Sequence, residues 1–364
     1  MRGSTITAIQ HCLPKKVLKN SDLYKVFGKE PIDNIYKISG IKERRIAEGK
    51  ICASDLAHQA AKHLIDEKAI DVNKIDTLIF VSETPDYQAP PTACILHNEL
   101  GLPQNCGSFD INHGCSGFPY GLKVAHSMIA SGESEMVLLL IADTLTKFIH
   151  PNDRSLIALH GDGGAALLIE PCENGSGIIN ISLGTDGSNY QHLMIPSSGS
   201  RIPKSENTKQ DYTDEFGVTR NQESMYMNGP AVFSFSLNKV PQKIKEALSE
   251  QNLDIEDIDI LLLHQANLMM INRIYDKLNT PVSKRFTNLE LIGNCAVAAS
   301  PIVLSDAWKY KKVKPGDLAV IASFGMGLSW GTITIKWPNN IDPTIYGNID
   351  FEQEIIKCPE RYNN

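Results

Sequence analysis

The chain carries one helix–strand plan twice, and that repeat restricts its fold more than any other feature. In the first half, Ser54 can cap an amphipathic helix running to Asp66, with Leu56, Ala60, Leu64 and Ile65 at helical spacing. The run Ile75–Val81 then reads as a short buried strand. In the second half, a helix from Ala231 to Ser249 leads to the run Ile258–Leu263, which also begins Ile-Asp. The parallel continues. Gly114-Cys115 opens a helix rich in small residues, which leads through Gly132-Glu133 to the strand Val137–Ala142. Gly293-Asn294 opens a similar one, which leads through Pro315-Gly316-Asp317 to the strand Leu318–Ala322. Helices alternating with apolar strands predict mostly parallel sheets covered by helices. The repeat predicts two similar halves on a pseudo-twofold axis, residues 1–172 and 173–337, followed by a polar surface tail, 338–364. Within the second half, the polar stretch Pro196–Gln222 reads as a surface excursion.

Composition removes several function classes. With 42% hydrophobic residues the chain has material for a large core. A net charge of −7 argues against a nucleic-acid coat or a polybasic membrane anchor. No apolar run reaches the ~18 residues of a membrane span, and residues 1–8 lack the apolar stretch of a signal peptide. The eight cysteines form no C-x-x-C pair. They read as reduced thiols of a cytoplasmic protein, and neither a metal site nor a cofactor motif is apparent.

Four segments carry chemistry. In Asp110–Phe118 a strand enters a glycine turn and a helix leaves, placing the Cys115 thiol where unpaired N–H groups and the helix dipole favour a thiolate. A lone cysteine at such a turn is more often inert core. His264-Gln265-Ala266-Asn267 ends an apolar strand, so His264 can act as base or hydrogen-bond donor. On its own it would pass for a satisfied core histidine. Asn294 can donate its amide to an oxyanion without bringing charge, or simply cap a helix. The turn Ser323–Gly331 lets the backbone N–H groups of Phe324, Gly325, Met326 and Gly327 approach a thioester oxygen. No lysine follows, so it is not a phosphate loop. Each signal is weak alone; the four in this order are not.

At these residues the sequence resembles β-ketoacyl-acyl-carrier-protein synthase III, a condensing enzyme of the thiolase superfamily. The resemblance runs over about residues 5–337 and includes Ser39–Arg45 and His160–Ala165. It implies an α/β, thiolase-like fold of two duplicated halves in five layers, αβαβα, and a homodimer. It also implies a mechanism. Cys115 takes an acyl group from a donor thioester. A malonyl thioester then loses carbon dioxide, and its enolate attacks the acyl-enzyme. His264 and Asn294 match the pair that stabilises the enolate oxygen; the Cys115 N–H and the Phe324–Gly327 turn match the oxyanion hole. An uncharged amide fits that role, since a carboxylate at 294 would repel the developing charge.

Departures from the family pattern bear on the substrate. Asn34 and Ile38 stand where family members stack the adenine of CoA between a tryptophan and an arginine. Met269 stands where an arginine contacts the donor or carrier. Arg154 matches a CoA-contacting arginine, and Asn267 is a candidate substrate contact. Ala89 replaces the aromatic that limits the acyl pocket from across the dimer, so an acyl group longer than acetyl is expected, carried on an acidic acyl carrier protein. Arg273, Lys277, Lys284 and Arg285 are the candidate docking patch, or else a solvated helix face. Two other classes stay open: a non-decarboxylating acyltransferase of the same fold acting on an alcohol or amine, and a catalytically silent partner subunit.

Overall fold

Alternate residues of the central strands face two different layers, which sets the whole architecture. The structure, a computed structural model, describes residues 2–173, 175–214, 217–352 and 355–357. Strands β1 (Gly3–Leu13), β2 (Thr77–Ser82), β3 (Gly107–Asn112), β4 (Val137–Asp143) and β5 (Gly163–Cys172) belong to a first sheet. Strands β6 (Gly177–Thr185), β7 (Ile260–Leu263), β8 (Leu318–Gly325) and β9 (Ser329–Lys336) form a second. A further strand, β10 (Thr344–Asp350), joins the first sheet beside β1. The strand orders are β10-β1-β5-β4-β2-β3 and β7-β8-β9-β6.

The helices used below are α1 (Lys29–Ser39), α2 (Ala53–Lys68), α3 (Thr92–Glu99), α4 (Gly117–Ser131), α5 (Gly229–Ser249), α6 (Leu268–Lys277) and α7 (Ala299–Lys309). Helices α4 and α7 touch both sheets and lie between them. On β2, Ile79 and Val81 point into that central layer with Phe118 and Leu122 of α4, while Leu78 and Phe80 point to α2 outside. On β7, Ile260 and Leu262 face the central layer and Leu261 and Leu263 face α5 and α6. Period-two alternation with both faces apolar is what a sheet buried on both sides requires. The result is the five-layered αβαβα order.

The duplication is visible in the pairing. Antiparallel β1–β5, antiparallel β5–β4 and parallel β4–β2 have counterparts in β6–β9, β9–β8 and β8–β7. The parallel β2–β3 pair has only a single bridge, Leu261 to Arg285, as its counterpart.

Several expectations need correction. The sheets are mixed, because each half returns its last strand antiparallel; β8 and β9 are joined directly by the turn that follows Gly325. Ser54 does not cap α2: Cys52 precedes the helix, and the buried Ser54 hydroxyl donates to Asp86 at 2.6 Å. Gly114-Cys115 does not open α4, which starts at Gly117. The tail is not simply surface, since β10 pairs with β1 and the buried Phe351 donates its N–H to the Leu13 carbonyl. Residues 358–364 lie outside the described residues. The 196–222 excursion is largely exposed but anchored by Arg220, which is buried against Asp153 and Asp214.

Candidate active site

The chemistry-bearing residues collect at the carboxyl ends of strands, where open α/β sheets place their ligands. Cys115 follows β3, His264 follows β7, and Phe324–Gly325 closes β8. Cys115 is 5% exposed. Its sulfur packs on the β8 turn: a Cβ added to Gly325 would sit 2.6 Å from the Cys115 Cβ and 3.0 Å from Sγ. With φ at +155°, position 325 suits glycine twice over. The Met326 and Cys115 backbone N–H groups are near enough to the sulfur to pull its pKa down, which makes them the donors best placed to hold an acyl oxygen. Ser116 and Ser329 tie the turn together, with hydroxyls 2.6 Å apart.

His264 stands across that turn, its ring edge-on to Phe324 with centroids 5.6 Å apart. It is 2% exposed, and its Nδ1 has no hydrogen-bond partner among the described residues. Burial, and then the nearby His160, lower its pKa to about 3. The imidazole is therefore neutral. Asn294 forms a parallel bridge with His160 and receives the Gly161 N–H on its carbonyl at 3.0 Å. Its side-chain oxygen accepts the Ala296 N–H at 3.1 Å, which leaves the amide NH2 as the free end of the group. Behind it, the buried Arg44 donates to Asn20 and to the Ala158 carbonyl, and its Cβ would lie 2.7 Å from a Cβ at Gly293. The S-G-I-K-E-R-R segment thus braces the Asn294 loop.

Cys115, His264, Asn294 and the Phe324–Gly327 turn are therefore brought together by shared neighbours. The thiolate expectation is not met: burial above all raises the Cys115 pKa, and the Met326 N–H only partly opposes this. Glu83, Asp143 and His160 were missed as site residues. The available signal was a carboxylate directly after an apolar strand in each of the first two cases.

Asn267 caps α6, accepting the Met270 N–H at 2.8 Å. Arg154 donates to the Gly217 carbonyl at 3.1 Å, at the foot of the excursion. Ala89 is exposed in the 83–91 loop. Ile38, Leu268, Met269 and Arg273 line a shallow groove of about 230 Å³ between α1 and α6. Lys284 donates to the Ile255 and Glu256 carbonyls, and Arg285 to Thr280 and Asp276, so of the four basic candidates only Arg273 and Lys277 are exposed.

A buried thiol grouped through shared neighbours with two uncharged side chains suits chemistry at a thioester carbonyl, and the duplicated five-layer fold around it is that of the thiolase-type condensing enzymes. Residues 109–187 match the family model for 3-oxoacyl-[acyl-carrier-protein] synthase III, and residues 248–337 match its C-terminal model. The chain is 37% identical over 325 residues to β-ketoacyl-[acyl-carrier-protein] synthase III of Caldanaerobacter subterraneus, covering 89% of this chain and 95% of that one. It superposes on a 3-oxoacyl-(acyl-carrier protein) synthase from Burkholderia xenovorans with a TM-score of 0.88 at 31% identity, covering 96% and 97% of the two chains. The priming β-ketosynthase of the R1128 polyketide pathway gives 0.81 at 26%, covering 94% and 97%. The chain belongs to the β-ketoacyl-acyl-carrier-protein synthase III family.

Proposed function

We propose that the chain performs a decarboxylative Claisen condensation of an acyl thioester with a malonyl thioester, through an acyl-enzyme on Cys115. The observation that carries the reading is the neutral pair, His264 and Asn294, joined through Phe324, His160 and the β8 turn to a buried cysteine. The Cys115 sulfur displaces the donor's thiol, and the Cys115 and Met326 N–H groups bind the oxygen of the tetrahedral intermediate. The malonyl thioester then loses carbon dioxide. Its enolate oxygen accepts hydrogen bonds from the His264 N–H and the Asn294 amide, and its carbon attacks the acyl group, returning the sulfur to Cys115. Neutral donors stabilise a developing oxyanion without forming a tight ion pair in the ground state.

Finer assignments follow from the same frame. The enzyme is an acyltransferase working as a homodimer, in the reducing cytoplasm that its seven free described cysteines suit. Ala89 leaves room for acyl groups longer than acetyl. Asn34 and Ile38 offer no adenine stack, which favours delivery on an acyl carrier protein. The exposed Arg273, which lines the α1–α6 groove, and Lys277, whose ammonium reaches the Leu237 carbonyl of α5, are the docking cations for that acidic carrier. The test is intact-protein mass spectrometry after mixing with acyl-CoA and acyl-carrier thioesters, paired with carbon dioxide release from a malonyl thioester. A mass increment lost in Cys115→Ala, and carbon dioxide release that depends on it, are expected. Acylation with transfer to an alcohol or amine and no carbon dioxide would overturn the condensation. A wild-type chain that acylates with no donor would point instead to a silent subunit.

A further inference from the structure

Two buried carboxyls meet at the floor of the site, and their surroundings split them. Asp143 accepts four hydrogen bonds: from the Ser82 and Thr84 hydroxyls and the Glu83 N–H, each at 2.9 Å, and from the Val297 N–H at 3.0 Å. Burial still raises the Asp143 pKa to about 7, but that set of donors favours its carboxylate and opposes the rise. Glu83 has none. Its stem is half-buried, but both its oxygens are closed to solvent and neither has a hydrogen-bond partner among the described residues. Burial, and then the charge of Asp143, push its pKa well above the ordinary range. The proton of the pair therefore resides on Glu83. This carboxyl lies against the nucleophile's backbone: a Cβ at Gly114 would be 2.5 Å from Glu83 Oε2 and 3.0 Å from the Met326 Cβ.

A neutral carboxyl offers one donor and one acceptor, and here both are unused. A buried orphan pair of this kind costs stability unless something arrives to satisfy it. The thiol beside it has the complementary problem, since burial makes a free thiolate expensive.

We propose that Glu83 is the proton relay for acylation of Cys115. As the Sγ electron pair forms the S–C bond to the thioester carbonyl, the thiol proton passes to one Glu83 oxygen. As the carbon–sulfur bond of the donor breaks and its pair stays on the departing sulfur, the other Glu83 oxygen delivers its proton there. The carboxyl ends neutral, with its two oxygens exchanged, and no charged thiolate is set free in the pocket. This inference rests on the assignment of Cys115 as nucleophile but not on the malonyl step.

The test varies the leaving group. Wild type, Glu83→Gln and Glu83→Asp are mixed in single turnover with two donors of the same acyl group. One is an N-acetylcysteamine thioester, whose sulfur leaves as a basic thiolate; the other is a nitrophenyl thioester, whose thiolate needs no proton. Cys115 acylation is followed by intact mass. Glu83→Gln should lose about 10²-fold on the alkyl donor, the lower range for general acid–base catalysis, and much less on the aryl donor. Its acylation rate should climb with pH as the thiol ionises. Wild-type rates in the variant, or equal losses on both donors, would overturn the relay. Wild type that acylates normally yet frees no carbon dioxide from a malonyl thioester would overturn the condensation alone, and the leaving-group ratio would still decide the relay.

Discussion

At the scale of single residues, the protonation states decide which chemistry the site can do. In the proposed mechanism His264 is an uncharged donor, and burial, then His160 beside it, lowers its pKa to about 3. A histidine at the ordinary value near 6.5 would lose its neutral form through pH 6. Here the neutral form persists until the pH approaches 3. His264 should therefore add no limb to carbon dioxide release by pre-acylated enzyme between pH 8 and 5, and a limb near 6.5 that persists in Asp143→Asn, which removes the carboxyl raised to about 7, would refute the neutral-donor role. Asn294→Ala should cut that release about 10²–10³-fold, the usual loss for an oxyanion donor, while Cys115 still acylates. Asn294→Asp should be at least as damaging, because it keeps the Ala296 N–H acceptor yet sets a negative charge beside the enolate. Full condensation activity in Asn294→Asp would exclude the assignment. Cys115, His264 and Asn294 could be singled out from the sequence because each follows an apolar strand or a glycine turn. Glu83 could not, since a carboxylate at a strand end is ordinarily a solvated group; only its neighbours across the sheet reveal that it is buried.

At the scale of elements, local periodicity located the helices and central strands well, but not what the chain does after Trp337. A polar tail gives little apolar signal, and a parallel pairing to β1 joins residues more than three hundred positions apart, which no local pattern records. In the fold, the tail closes the β1 edge. Gln59 bonds to the Asp350 carbonyl and to the Glu352 N–H, and Arg45 pairs with Asp350. Phe351, 7% exposed, packs in the cluster formed by α2 and the outer face of the first sheet. Phe351→Ala should destabilise the protein by about 3 kcal/mol, the lower range for a buried phenylalanine, read from the urea midpoint. A change below about 0.5 kcal/mol, the range of ordinary surface substitutions, would mean the tail is not held there in solution. The mostly parallel expectation holds for the first sheet, three of whose five pairings are parallel, but not for the second, where one of three is; apolar runs show that a strand is buried on both faces but not which way it runs.

At the scale of the whole molecule, one sheet edge remains to be explained. In the first sheet, β10 covers β1, while β3 ends the opposite side with no described strand beyond it. The neighbouring β2 is fully buried, whereas Ser108, Phe109, Asp110 and Ile111 of β3 are half-buried, and the strand carries no lysine or proline. Open edges without such guards invite pairing with another chain. A second copy laid against β3 across a twofold axis would satisfy its backbone and continue the sheet through both subunits. Asp110 also accepts the Thr92 and Ala93 N–H groups at 2.7 Å, which fastens the start of α3, and with it the Ala89 loop, to that edge. Dimerisation would thus carry Ala89 to the neighbouring subunit. Sedimentation should show a particle of twice 40.1 kDa, and the β3 amides should exchange with solvent as slowly as those of β2. In such a dimer Ala89→Phe should shorten the acyl chain accepted while sparing acetyl transfer. An active monomer with fast-exchanging β3 amides would overturn the assembly, and an unchanged chain-length profile in a dimeric Ala89→Phe would remove Ala89 from the pocket.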